Sequence, residues 1–332
     1  MKKDIAILIP CYNSEKTIVE TLLSLKEQIS GLDRVAYIVI ADDKSPDNTV
    51  KVATEYWAGN TPPLKLERRN ANHGEYLNVN MAIEGMESSI EWFIIMHGDN
   101  MATPNYLQLL LKHIDKADSK TALICGSWKD FDETGSLNEG DNRYEAQGSI
   151  MINGTKQAVR DTLFLGCWWH ISCTAIRISS FKTVGGLPRG MRQKGDYEFL
   201  LRILENGFNV EYLPIPLMLY RSHEASISSK NFKIHRDLVE TLMTIRNYIH
   251  SLSFVEVIRL YGIIQYQLLR RFASSLLKMQ GERALKAVNV SFLNLKEGLI
   301  GMRQVLTKNY SRHQLVNFKN ALPENEEPTT NK

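Results

Sequence analysis

Several features are scarce in these 332 residues, and each scarcity removes a class of protein. The four cysteines (Cys11, Cys125, Cys167, Cys173) show no C-x-x-C spacing. They are too few for a disulfide-built secreted scaffold and wrongly placed for a dithiol or zinc motif, so a reducing, cytoplasmic compartment is expected. No charge-free stretch exceeds the 15 residues of Thr162–Ile176. A spanning helix needs about 20 mostly apolar residues, so none is predicted. The first apolar run, Ile5–Ile9, is too short for a signal-peptide core and reads as a buried strand. No G-x-G-x-x-G follows a strand-like run, which argues against a dinucleotide dehydrogenase. The segment after the first run, PCYNSEK, lacks the glycine-rich, Arg- and Lys-bearing loop expected of a sugar-nucleotide pyrophosphorylase. Strong net charge is missing too: at +3 the chain has no overall bias towards nucleic acid.

What charge there is lies unevenly. Lys230–Asn320 holds 15 Lys/Arg against 5 Asp/Glu, while the remainder holds 25 against 32. This predicts a catalytic body over 1–229 and a basic helical region over 230–320 that faces an anionic surface such as lipid headgroups. The polar stretch 321–332 is expected to be disordered. In the basic region Val257, Tyr261, Ile264, Leu268, Phe272 and Leu276 recur at helical spacing. Such a stripe is either a packing face or a membrane face.

The body alternates short strand-like runs with helical patterns. The runs are Ile5–Ile9, Val35–Ile40, Leu64–Glu67, Trp92–Met96 and Leu123–Cys125. Helices are predicted over 15–28, 46–57 and 75–86 and from Pro104. The pattern gives an α/β doubly wound sheet with right-handed crossovers, its polar turns gathered on one rim. Residues 128–164, rich in Gly, Asn and Asp, read as a long surface excursion over a site. Trp168 and Trp169 are either a stacking wall there or buried core. Later come a strand over 171–176, a helix over 196–206, and two extended runs, Val210–Leu213 and Leu217–Tyr220, parted by prolines.

Four polar clusters follow these elements. After the second strand stand Asp42 and Asp43, with Ser45 as a helix cap and Pro46 as its first residue. Adjacent carboxylates repel, so they are either solvated turn residues or are compensated by donors on a ligand or a cation. After the fourth strand, His97-Gly98-Asp99-Asn100 offers a hard oxygen ligand on a sharp turn, suited to Mn²⁺ or Mg²⁺ bridged to phosphates. Asp196 opens a helix, where it is either a general base or a carboxylate favoured by the helix dipole. Arg221 and His223 together neutralise a diphosphate or form a surface pair.

As an ordered set these clusters resemble family 2 glycosyltransferases. The residues that carry the resemblance are PCYN at 10–13, DDKSPDNT at 42–49, the N-x-G of Asn72 to Gly74, the HGD corner, GDYEF at 195–199 and YRSHEASIS at 220–228. The likeness spans about Ile5 to Ser228. It implies a GT-A fold: a Rossmann-like mixed sheet flanked by helices, here with a helical C-terminal extension. It also implies nucleotide contacts by Pro10, Tyr12, Asn13, Asp42, Asp43, Asn72, Gly74 and His97. A metal would be held by Asp99 and His223 and the diphosphate by Arg221, with Asp196 as catalytic base. Donor and acceptor would be a nucleotide-diphosphate sugar and a glycan or lipid-linked hydroxyl, joined with inversion in polysaccharide or cell-envelope synthesis. Three positions depart from the family pattern: His97 replaces the first Asp of D-x-D, Val79 replaces an Arg, and Gly195 replaces the acid before the base. A catalytically idle sugar-nucleotide scaffold is the competing expectation.

Overall fold

The computed structural model describes residues 2–131, 137–139, 148–222 and 227–310. The strands found there are β1 (Ile5–Cys11), β2 (Val35–Asp42), β3 (Leu64–Arg68), β4 (Trp92–Ile95), β5 (Met101–Ala102), β6 (Thr121–Phe131), β7 (Leu137–Glu139), β8 (Ile150–Ile152), β9 (Thr174–Arg177) and β10 (Asn209–Arg221). The helices are α1 (Ile18–Lys26), α2 (Thr49–Trp57), α3 (Glu75–Glu84), α4 (Tyr106–Ile114), α5 (Lys156–Leu165), α6 (Ile178–Thr183), α7 (Gly195–Glu205), α8 (Ile227–Lys233), α9 (Arg236–Tyr248), α10 (Phe254–Leu277) and α11 (Gly281–Thr307). The chain divides into two compact units. One is Met1–Ala158 with Leu165–His223; the other is Val159–Phe164 with the chain that follows His223.

The first unit is a mixed sheet in the order β3-β2-β1-β4-β9-β6-β10-β5, with β7 on β6 and β8 on β10. β1, β2, β3 and β4 pair in parallel. The continuous apolar runs of β1, β2 and β4 follow from that, since a strand covered by helices on both faces has no solvent side to pattern, while β3, at the sheet edge, is half exposed. Ile5, Ile7, Ile9, Ile38, Ile40 and Ile94 share one core with Leu22 and Leu25 of α1 and Leu107 and Leu110 of α4. β9 then enters antiparallel between β4 and β6, so the doubly wound expectation holds only for the first half of the sheet.

Two further expectations change. The runs on either side of the prolines are a single 13-residue strand, β10. Proline offers no N–H to the ladder, and the pairing with β6 accordingly slips around Pro216 without breaking. Residues 128–164 are not one excursion either, since β6 runs on to Phe131 beside Arg221, and β8 and α5 follow. Residues 132–136 and 140–147 lie outside the described part. Trp168 and Trp169 are fully buried, edge-on to Tyr212 and stacked on Phe199, so both are core.

The second unit is helical. α10 starts at a capping box formed by Ser253 and Glu256 and buries Val257, Leu260, Tyr261, Ile264 and Leu268. The predicted stripe fails at its end, where Leu276 is exposed. Gly301 lets α11 approach closely: a Cβ there would stand 2.9 Å from Ile249 Cδ1. Arg246 pairs with Glu297, both buried, and Arg271 grips Asp237 through two bonds of 2.8 and 2.6 Å. Among the described residues no helix is long and apolar enough to cross a membrane.

Candidate active site

At the end of β2 the two carboxylates are consumed by the backbone. Asp42 is fully buried and accepts the Ser45 N–H at 3.1 Å, with Arg68 Nε at 3.3 Å. Asp43 accepts the N–H groups of His73 and Gly74, each at 2.8 Å. That second pair brings the Asn72–Gly74 loop onto the strand end, and Asn72 Oδ1 also accepts from Gly74 N–H at 3.2 Å. Because Asp42 needs the Ser45 amide, the chain turns first and α2 starts only at Thr49, later than the Ser45 cap predicts. The Ser45 hydroxyl instead accepts the N–H of Asn13, which adopts a left-handed φ of 56°. Pro10 lies in β1 opposite Ala41, and Tyr12 follows half-buried in the turn.

The corner after β4 is assembled from distant segments. Gly98 is tightly enclosed, since a Cβ would stand 3.1 Å from both Cys11 Cβ and Ser14 Oγ. Asn100 Oδ1 accepts the Arg221 N–H at 3.1 Å, and Arg221 Nε donates to the Asp99 carbonyl at 3.0 Å. Arg221 is therefore seated at the corner, while its guanidinium pairs with Glu20 and lies over the Phe131 ring. His97 is clamped between Glu75 (Nε2 to Oε1, 2.8 Å) and the Ser172 hydroxyl at Nδ1. Burial alone would lower the His97 pKa, but the charge and hydrogen bond of Glu75, reinforced by Asp99 and Asp196, hold it above its ordinary value. Glu75 is correspondingly held low: its burial is outweighed by His97. His170, beside His97, is pushed down to about 3 by burial and by His97.

Asp196 sits in the first turn of α7. Its Oδ1 accepts the Tyr197 N–H at 2.8 Å, and its Oδ2 faces the Cys167 thiol at 3.5 Å. Burial, with Glu75 adding to it, raises the Asp196 pKa against the opposing Lys194 and Tyr197 N–H. Cys167 is raised as well, by burial and by Asp196. The structure thus gathers Glu75, His97, Asp99, Cys167, His170, Ser172 and Asp196 around one corner. Of these, Glu75, Cys167, His170 and Ser172 escape sequence reasoning. A signal for Glu75 was present, since it directly follows the N-x-G loop and opens α3. His223 lies outside the described residues.

The family profile described as Glycosyl transferase family 2 matches residues 6–185. The chain belongs to this family. Similar sequences include EpsE of Bacillus subtilis (strain 168), named as a glycosyltransferase, at 22% identity over 69% of this chain and 76% of EpsE. An uncharacterized glycosyltransferase of Haemophilus influenzae (strain ATCC 51907 / DSM 11121 / KW20 / Rd) is 22% identical over 76% of this chain and 82% of its own. Among solved structures, S. aureus TarS 1-349 in complex with UDP-GlcNAc superposes with a TM-score of 0.59, at 16% identity, over 92% of this chain and 91% of that one. The likeness establishes the GT-A fold with C-terminal helices.

Within the family pattern, the three departures have local physical reasons. Val79 is fully buried in α3, where a guanidinium would be stranded. At Gly195 a Cβ would stand 2.3 Å from the Tyr76 ring, whose hydroxyl accepts the Gly195 N–H at 3.0 Å. No side chain fits there, acidic or otherwise. Glu75 meets His97 where the family carries the first Asp of D-x-D. Two departures are therefore met by the adjacent residues Glu75 and Tyr76. Among the described residues no three His, Cys, Asp or Glu side chains converge tightly enough to hold a metal by themselves. A hard cation at this corner would take its remaining ligands from substrate phosphates and water.

Proposed function

We propose that this glycosyltransferase moves a sugar from a nucleotide diphosphate to a hydroxyl of a glycan or lipid-linked acceptor, with inversion, in polysaccharide or cell-envelope synthesis. The observation that supports the reading is the corner after β4, where Glu75 holds His97 at 2.8 Å and Arg221 Nε bonds the Asp99 carbonyl at 3.0 Å, within a chain whose residues 6–185 match the family. In this reading Asp196 takes the acceptor proton as the oxygen attacks the anomeric carbon, while the bond from that carbon to the diphosphate breaks. Direct displacement with one base gives inversion. Raising the pKa of a carboxylate brings it nearer the operating pH, which favours a general base. Asp99 is the residue that would hold Mn²⁺ or Mg²⁺ against the diphosphate, and the cation would supply charge neutralisation for the leaving group. Arg221 and His223 are assigned to the diphosphate and metal, and the β2 corner with Pro10, Tyr12, Asn13 and Asn72 to the nucleotide. TarS is described with UDP-GlcNAc and with UDP, so a uridine diphosphate sugar is the first donor to try. A cytoplasmic location supplies such donors.

The test is Asp196→Asn. Transfer should fall by about 10²–10⁴-fold, the usual contribution of a general base, while nucleotide binding persists. Full transfer by the variant removes the base assignment. Nucleotide binding by the native protein without any transfer would favour the idle scaffold.

A further inference from the structure

The α10–α11 hairpin keeps a second apolar face that the fold does not cover. Of 21 large apolar side chains left exposed among the described residues, 14 lie between Phe254 and Leu306. On α10 they include Val255, Ile258, Tyr266 and Leu269, and on α11 Leu285, Phe292, Leu295, Leu299 and Leu306. The α10 set recurs at three- and eight-residue steps and the α11 set at three-, four- and seven-residue steps, so each forms one stripe, and that of α10 is separate from the buried stripe of Val257, Tyr261, Ile264 and Leu268. The stripes meet at a groove of about 420 Å³ lined by Ile258, Gly262, Leu295, Leu299 and Met302. They form one continuous face. Isolated exposed apolar residues are ordinary, but a contiguous patch marks an interaction surface.

Charge identifies the occupant. All three carboxylates of the two helices are already paired: Glu256 with Arg160, Glu282 with Lys286 and Glu297 with Arg246. Arg259, Arg270, Lys278, Lys296, Arg303 and Lys308 have no carboxylate partner among the described residues. Arg259 and Arg270 lie over the rings of Phe164 and Tyr266, beside the apolar stripe of α10. A second copy docking through the same face would set these cations against their own duplicates. An apolar face flanked by unpaired Arg and Lys instead matches a bilayer surface, with acyl chains for the stripe and anionic headgroups for the cations. We propose that the α10–α11 hairpin docks this protein on an anionic membrane surface, lying in the interface rather than spanning it. The proposal does not depend on the transfer chemistry.

The full-length protein would be sedimented with vesicles of phosphatidylcholine, with and without phosphatidylglycerol, at low and high salt. Binding should require phosphatidylglycerol and weaken with salt. Lys296→Gln with Arg303→Gln should weaken it about 30-fold, from about 1 kcal/mol per basic residue near an anionic surface. Phe292→Ser with Leu299→Ser should weaken it at least about tenfold through lost apolar burial. Both pairs are exposed, so an unchanged melting temperature certifies folded variants. Absence of vesicle binding by the folded native protein overturns the proposal, as does binding that neither variant weakens. A dimer that Phe292→Ser dissociates, in protein that ignores vesicles, assigns the face to a second copy and overturns it as well.

Discussion

At the end of β2, Asp42 and Asp43 spend their oxygens on amides of Ser45, His73 and Gly74, and on Arg68. At the end of β4, His97 draws on Glu75 of α3 and on Ser172, and Asp196, brought there by α7, faces Cys167 in the same connection as Ser172. Both corners are acidic turns at the carboxyl end of a parallel strand, where such sheets bind ligands. Their chemistry differs because their partners differ. Backbone N–H groups occupy the carboxylate oxygens and lock a loop in place, which makes the β2 corner a joint. Burial and like charge raise the pKa of Asp196, and the proposed function makes the β4 corner the reactive one on that ground.

The largest effect expected at the joint comes from Asp43→Ala. It removes the carboxylate that accepts from the His73 and Gly74 N–H groups and loosens the Asn72–Gly74 loop, costing about 3 kcal/mol of stability through two lost hydrogen bonds to a charged group. Denaturant unfolding measures the loss. A variant as stable as the native protein would mean that the loop is held by other contacts.

Glu75→Gln separates the corners in another way. In the native protein His97 is raised from an ordinary value of 6.5, and Glu75 is lowered from 4.5. The His97 contribution to stability is present below its unfolded pKa and lost as pH rises through its folded one. The Glu75 contribution is present above its unfolded pKa and lost as pH falls through its folded one. The difference in melting temperature between native and Glu75→Gln should therefore be widest near pH 5–6, between those ordinary values, and narrow on either side. NMR titration should also find the His97 pKa lowered in the variant, with burial no longer opposed. A pH-independent difference would mean that the pair is only a neutral hydrogen bond. Smallest is Tyr76→Phe, which removes one acceptor from the Gly195 N–H and should cost about 1 kcal/mol while leaving the helix start in place.

The first strands and their polar turns were legible because an apolar run ending at a carboxylate or glycine is a local pattern. The acidic residues of both corners were legible for the same reason. What joins them was not. Glu75 reaches His97 across 22 residues and Ser172 reaches it across 75, and no spacing rule encodes such pairs. The antiparallel entry of β9 was equally hidden, since an apolar run does not state its direction. The start of α2 was misplaced because Ser45 looks like a cap, yet its amide is needed by a buried carboxylate three residues earlier. Gly195 was visible as a departure from the family pattern, but its cause, the ring of Tyr76, lies 119 residues away.

The central claim, that the β4 corner receives the nucleotide diphosphate through Asp99, is tested most directly by thermal shift. UDP, GDP, dTDP and CMP would each be added with and without Mn²⁺ to the native protein and to Asp99→Asn. At about 100-fold saturation a ligand confined to the folded state adds about 2.7 kcal/mol, a readable shift. The account predicts a Mn²⁺-dependent shift with one nucleoside diphosphate in the native protein and loss of the Mn²⁺ dependence in Asp99→Asn. No shift with any nucleotide in folded native protein, or an unchanged Mn²⁺ dependence in Asp99→Asn, would contradict it.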